Sequence, residues 1–210
     1  MRWLFFVLAA VLLNGYEVTI TSIRGNTVTL DKYVKKGVSG VVLCSFEDKT
    51  IICAKAVAFG KKAKLKIYEN LKNDAFALPI VLPKKGDKIL LAKNYNRIMI
   101  IAPNQYLYLK TKDKFKNEVI ISPDVFANFL EDIPTKEEFK SFAKKMDIGR
   151  YVFVLDKIYE VDADSFYAIK KYGHNSQKFN EMFFTTYPKE TVKKDMISYY
   201  KSMIKSTMKN

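Results

Sequence analysis

The chain has 210 residues, 36 Lys and Arg against 22 Asp and Glu, and a net charge of +14, with only four of its cations Arg. Base reading and bidentate phosphate clamping draw on Arg, so a lysine-biased surface speaks against a nucleic-acid binder. It fits long-range attraction to anionic lipid, glycan or protein partners, or plain solvation.

Met1-Arg2 precede an unbroken apolar run of eleven residues, Trp3 to Leu13, which turns polar at Asn14-Gly15. That order of charge, apolar core and small residue is the order of a secretory signal, and the run falls short of the roughly 20 residues a spanning helix needs. Residues 1–15 are therefore expected to be a signal peptide cleaved after Gly15. The mature chain is expected to be exported to the periplasm or cell surface, with no transmembrane anchor after cleavage. The boundary carries no Cys, which argues against a lipoprotein.

The chain beyond Gly15 is long enough for one large domain or two small ones with real cores. Tyr16 to Leu30 alternates as a β-hairpin about Gly25-Asn26. Val41 to Phe46 and Ile51 to Val57 flank the polar turn Glu47-Asp48-Lys49-Thr50 as a second hairpin. With Asp48-Lys49 central, Cys44 faces Cys53 in a non-hydrogen-bonded pair, where Cα atoms approach most closely. Two readings stand side by side there: a cross-strand disulfide, permitted in an oxidising periplasm, and two small buried thiols. Ala63 to Tyr68 alternates again, and Lys85-Gly86-Asp87 launches Ile89 to Tyr95, which is expected to reverse at Asn96-Arg97 into Ile98 to Ala102. Residues 16–102 thus read as a β-rich small barrel or sandwich of short antiparallel strands.

Helix signals come later. The two halves divide near residues 103–116, and residues 110–116 read as an exposed connection. Ser122-Pro123-Asp124 offers an N-cap with Pro at the first helical position, ahead of Val125, Phe126, Phe129 and Leu130. Thr135 to Glu138 has the form of a capping box, and Phe139, Phe142, Ala143 and Met146 recur at helical spacing until Gly149. Strands return at Tyr151 to Leu155, Ile158 to Val161 and Ser165 to Tyr172, and an amphipathic helix is expected from Pro188 to Met208. The fold class is α+β: a β-rich N-terminal half, then a mixed α+β region over residues 103–210, either separate from the first or continuous with it.

Catalytic chemistry has little to draw on. His174 is the only histidine, so a histidine zinc site or a Ser-His-Asp relay lacks partners. Gly37-Val38-Ser39-Gly40 has the wrong order for a nucleophile elbow, and glycines flanking a strand start explain it. Glu160, Asp162 and Asp164 alternate along a strand but lack calcium-loop spacing, and read as a solvated acidic edge. No enzyme, cofactor or metal site is expected, and a hydrolase is disfavoured.

Three segments carry a resemblance: Val34 to Val42, Lys85-Gly86-Asp87-Lys88-Ile89, and Ile100 to Tyr108, with the helix from Ser122 to Leu130 behind them. In that order and separation they resemble the N-terminal domain family of the plasminogen-binding protein PgbA of epsilon-class helical bacteria, over most of the mature chain. The resemblance implies an exported, non-enzymatic envelope protein that captures host plasminogen through lysines. Kringle domains grip a lysine ammonium between paired carboxylates and an aromatic trough, and a terminal lysine also presents its carboxylate. Family members known by this name continue into a Lys- and Glu-rich tail ending in Lys, whereas the present sequence stops at Lys209-Asn210. Internal lysines beside acids are then the expected ligands. The candidates are Lys110, Lys112, Lys114 and Lys116 around Asp113, and Lys201, Lys205 and Lys209, spaced by four and hence on one helical face. The runner-up is a periplasmic scaffold module whose partners are envelope or flagellar-motor proteins.

Overall fold

The computed structural model describes residues 15–67, 81–173, 181–186 and 195–205, so residues 1–14 of the expected signal, His174 and Lys209 lie outside the described residues. Within them the α+β reading holds, with a β-rich first half followed by a mixed sheet, helices and a last helix.

β1 (Tyr16–Arg24) and β2 (Thr27–Val34) form the first hairpin, with Gly25 at φ 55° in its two-residue turn. β3 (Ser39–Phe46), β4 (Lys49–Ile67) and β5 (Lys88–Leu91) complete a closed barrel in the order β1-β2-β4-β3-β5. Closure leaves no long edge to template aggregation. β4 is long enough to pair with β3 through its first half and with β2 through its second. Its inward Ala54, Ala56, Ala58 and Ala63 are fully buried, and such small side chains let the wall close tightly on Val18, Ile20, Val28, Val42 and Ile89. Gly40 is required where β3 meets β5, since a Cβ there would strike the Leu90 carbonyl.

Cys44 and Cys53 are bonded, with Cα atoms 5.8 Å apart. The hairpin register differs from the expected facing pair. Glu47-Asp48 occupy the turn, Glu47 at φ 51°, and Cys44 lies opposite Ile51. A bulge makes Cys53 the extra residue between Ile52 and Ala54, so Cys53 and Ala54 both turn inward, towards Cys44.

The second sheet has the order β10-β9-β8-β6-β7. β6 (Arg97–Ile101) is parallel to β7 (Val119–Ile121) and to β8 (Arg150–Val154). β9 (Ile158–Asp162) and β10 (Ala168–Tyr172) extend it antiparallel. The expected hairpin between Ile89–Tyr95 and Ile98–Ala102 does not form. Positive φ at Ala92 and Asn94 carries the chain out of the barrel, so the change of sheet falls between Leu91 and Arg97, ahead of the expected residue 102. The physical reason is two-sided burial. Ile98 to Ile101 is continuously apolar and covered on both faces, the mark of a central parallel strand rather than of a half-exposed hairpin arm.

α1 (Gln105–Lys112) and the 3-10 turn Asp113–Phe115 occupy the segment expected to divide the halves, so the exposed connection expected over 110–116 is helical; the Asn104 side chain caps α1 on the Leu107 N–H. Leu107, Tyr108 and Phe115 pack on one face of the sheet, with Ile98, Ile100 and Val152. The opposite face receives α2 (Pro123–Phe129), α3 (Lys136–Met146) and α4 (Met196–Met203). Ser122 caps α2 with Pro123 opening it, and Thr135 and Glu138 form the capping box of α3. α3 ends on Asp147 in the left-handed conformation rather than on Gly149, which is needed because a Cβ there would meet the Asn94 backbone. The core beneath these helices is aromatic. The Phe139 ring lies 4.7 Å from Phe126, 5.0 Å from Tyr151 and 5.4 Å from Phe153, and the Tyr151 hydroxyl donates to the Phe139 carbonyl.

Candidate functional site

The barrel and the second sheet meet at the segment from Gly37 to Gly40, and the group that joins them is Asp162 at the end of β9. Its side chain is fully buried. One carboxylate oxygen accepts from the Ser39 N–H at 2.8 Å, the Ser39 hydroxyl at 2.7 Å and the Tyr95 hydroxyl at 2.5 Å. The other accepts from the backbone N–H groups of Asp164 and Ser165. A buried carboxylate needs such donors in place of water. Burial first, and then the Asp162 charge, push the Tyr95 hydroxyl far above the ordinary tyrosine range, so it stays a donor. The Ser165 hydroxyl donates to the Gly37 carbonyl, and Lys55 of β4 pairs with Asp164 at 2.9 Å.

Glu160 is equally removed from water, at 2% exposure, and pairs with the Arg150 guanidinium, which also reaches Glu118 at 2.8 Å and the Tyr95 carbonyl at 2.7 Å. Lys170 stands 3.5 Å from the second Glu160 oxygen. The solvated acidic edge expected at Glu160, Asp162 and Asp164 is thus corrected: two of the three carboxylates are internal fasteners, and among the described residues no group of acids, His and Cys is arranged to hold a metal. Ser39 is a donor to Asp162 within that joint.

Beside the joint lies an open cleft of about 630 Å³ between the outer face of β4 and the loop from Asp164 to Tyr167, with Lys140 of α3 and Lys205 on its rim. Phe59 and Tyr167 meet edge to face in it, ring centres 5.7 Å apart. The ammonium groups of Lys36 and Lys205 stand 5.7 and 5.3 Å from the Tyr167 ring centre. Nearby, burial and then the charges of Lys205 and Lys140 hold the Lys136 ammonium below the usual lysine range, as like charges crowded together must.

The sequence-derived lysines fall in three places. Lys110, Lys112, Lys114 and Lys116 are all exposed, the first two in the last turn of α1. Lys110 lies over Tyr106 of its own helix at 5.6 Å, and Lys114 reaches Tyr172 of the sheet at 5.9 Å. Lys112 and Lys116 have no ion-pair partner among the described residues, and Asp113 sits exposed between them. Lys201 on α4 pairs with Asp156 at 3.1 Å; burial raises that carboxyl, but hydrogen bonds from Lys201 and Tyr159 outweigh it and leave its pKa lowered. Lys205 is not on the helical face of Lys201. α4 ends at Met203 with Ile204 extended, and Lys205 forms a parallel bridge with Tyr167, its N–H donating to the Phe166 carbonyl. For Lys201 and Lys205, the described pair, the four-residue spacing therefore does not make one face. Lys55, Lys140 and Asp164, which the structure brings to one cleft, come from distant parts of the sequence that no spacing rule connects.

A closed five-stranded barrel fused to an aromatic-cored mixed sheet, with exposed cations and no described metal cluster, defines a small basic α+β module. The chain belongs to the family described as "Plasminogen-binding protein pgbA N-terminal", whose profile matches residues 15–207. It is similar to the plasminogen-binding protein PgbA of Helicobacter pylori (strain J99 / ATCC 700824), 28% identical over 108 residues. That match covers 49% of this chain and 24% of the relative, so the chain spans about a quarter of the length of the protein it matches. No solved structure matches.

Proposed function

We propose that this chain is an exported, non-enzymatic plasminogen-binding module that engages a kringle through the lysines of α1 and the 3-10 turn after it. The observation that carries the reading is the pairing of family membership with the cluster at Lys110, Lys112, Lys114 and Lys116. A kringle accepts an ammonium and an anionic group a short distance away; Lys112-Asp113-Lys114 offers both on an exposed helical turn, without a chain terminus. The second candidate patch is weaker, since Lys201 is engaged by Asp156. Export is supported by the charge and apolar order of the first residues and by two cysteines placed to bond, a pairing suited to an oxidising compartment.

The test is capture on immobilised plasminogen at low salt, where charge attraction is least screened. Binding is expected to be displaced by a free lysine analogue and weakened more by K110Q/K112Q/K114Q/K116Q than by substituting four scattered lysines. Absence of binding, or equal loss in both variants, overturns the reading. A protein that resists protease added to intact cells, and captures no plasminogen, instead returns the periplasmic scaffold role.

A further inference from the structure

The cleft beside the joint is a site of another kind, on a different part of the molecule from Lys110 to Lys116. Among the described residues five lysines line it, Lys55, Lys64, Lys66, Lys140 and Lys205, against a single acid, Asp164, which Lys55 already engages. The excess charge is held in place. Lys205 is anchored by a backbone bridge to Tyr167, and the ring of Tyr167 gathers the ammonium groups of Lys36 and Lys205. The cationic strip also continues past this cleft. A second cleft of about 400 Å³ shares Lys55, Lys140 and Asp164 with the first and adds two cations, Lys93 and Lys144, against one further acid, Asp147. Between the lysines the floor is apolar, formed by Val57, Phe59 and Leu65.

From this arrangement we infer that the two joined clefts bind a linear acidic oligosaccharide, with sulfate or uronate groups on the lysines and sugar C–H faces on Val57, Phe59 and Leu65. A lone phosphate is a poorer match, because compact phosphate sites use an Arg fork or the N–H groups of a helix start. This lining has no Arg, and Lys140 lies inside α3 rather than at its first turn. Single-stranded nucleic acid is also a poorer match, since it depends on open aromatic faces for base stacking. Here Tyr167 already has lysine ammonium groups over its ring, which leaves Phe59 as a single aromatic face, enough for one sugar but not for the successive bases of a strand. The volume is in the range of ligand-sized clefts, and the lysines are divided over two clefts that share Lys55 and Lys140, an arrangement suited to a chain of charged sugars.

The experiment is calorimetric titration of the full chain with a size-defined heparin oligosaccharide, alongside its desulfated form, polyglutamate and oligothymidylate of equal charge. Binding that falls with salt is expected for the sulfated saccharide, and K64Q/K140Q/K205Q is expected to weaken it roughly tenfold through loss of several surface ion pairs. The control K110Q/K112Q/K116Q is expected to retain it, which separates this site from the plasminogen reading. As a check needing no variant, bound saccharide should shield Lys64, Lys140 and Lys205 from amine acylation while leaving Lys112 and Lys116 reactive. No binding at low salt, equal losses in both variants, uniform shielding, or equally tight binding of polyglutamate or oligothymidylate would each overturn the inference.

Discussion

The barrel and the mixed sheet solve the burial problem with different materials. The barrel core is aliphatic and small, four alanines of β4 against valines and isoleucines, closed by strand pairing on every side and by one disulfide. The second sheet is open and depends on what covers it. Large rings from α2, α3 and α4 cluster about Phe139, and a buried arginine network closes its other end. A closed wall distributes its stability over backbone ladders. An open sheet concentrates it in a few large side chains, so single substitutions should act more severely there.

The sharpest way to break this comparison is Phe139→Ala, which removes a fully buried ring packed among Phe126, Tyr151, Phe153, Phe166 and Tyr200, rigid rings that collapse poorly into the space. A loss of about 3–5 kcal/mol is expected in denaturant unfolding. The like truncation in the barrel, Ile89→Ala, should lose less by the same measurement, about 2–3 kcal/mol, because the strand ladders around it stay paired. Equal losses would erase the distinction.

Next in size is the disulfide. Replacing Cys44 and Cys53 together by Ala should lower stability by about 2–3 kcal/mol, on the chain-entropy account of a short closed loop. Alkylation without reductant should label neither cysteine in the folded protein, and full labelling of both would show that the barrel closes without the bond.

Asp162→Asn probes the joint between the two regions. It places an amide donor among five donors, two from Ser39 and one each from Tyr95, Asp164 and Ser165. A loss of about 1–3 kcal/mol is expected for a buried donor left unmatched. Hydrogen exchange should rise at Ser39 and Ser165 before it rises inside either core.

The smallest effect is confined to alkaline pH. Burial, and then the Glu160 charge, push Tyr172 up to about 12 from its ordinary 10.0, and burial and Asp156 do the same to Tyr159. A folded state that holds these protons more tightly than the unfolded chain keeps their full contribution below pH 10 and loses it as pH rises towards 12. The denaturation midpoint should therefore fall across that window, and less steeply in Tyr172→Phe. An unchanged slope in the variant would remove Tyr172 from the account.

Local chemistry was legible in the amino-acid order. The turn at Gly25-Asn26, the Ser122 cap and the Thr135 capping box all act through neighbours within a few residues, and so did the alternation that marks the barrel strands. The sequence by itself thus determined the α+β class and the family resemblance. Tertiary structure alone decided which sheet Ile98 to Ile101 would join, because a continuous apolar run does not say how many of its faces are covered. It also decided that Glu160 and Asp162 would be interior, since a carboxylate alternating on a strand looks the same whether water or Arg150, Ser39 and Tyr95 satisfy it. Only folding set Lys55, Lys140 and Lys205 around one cleft, because charges far apart in the chain become a site when the tertiary packing brings them to one lining.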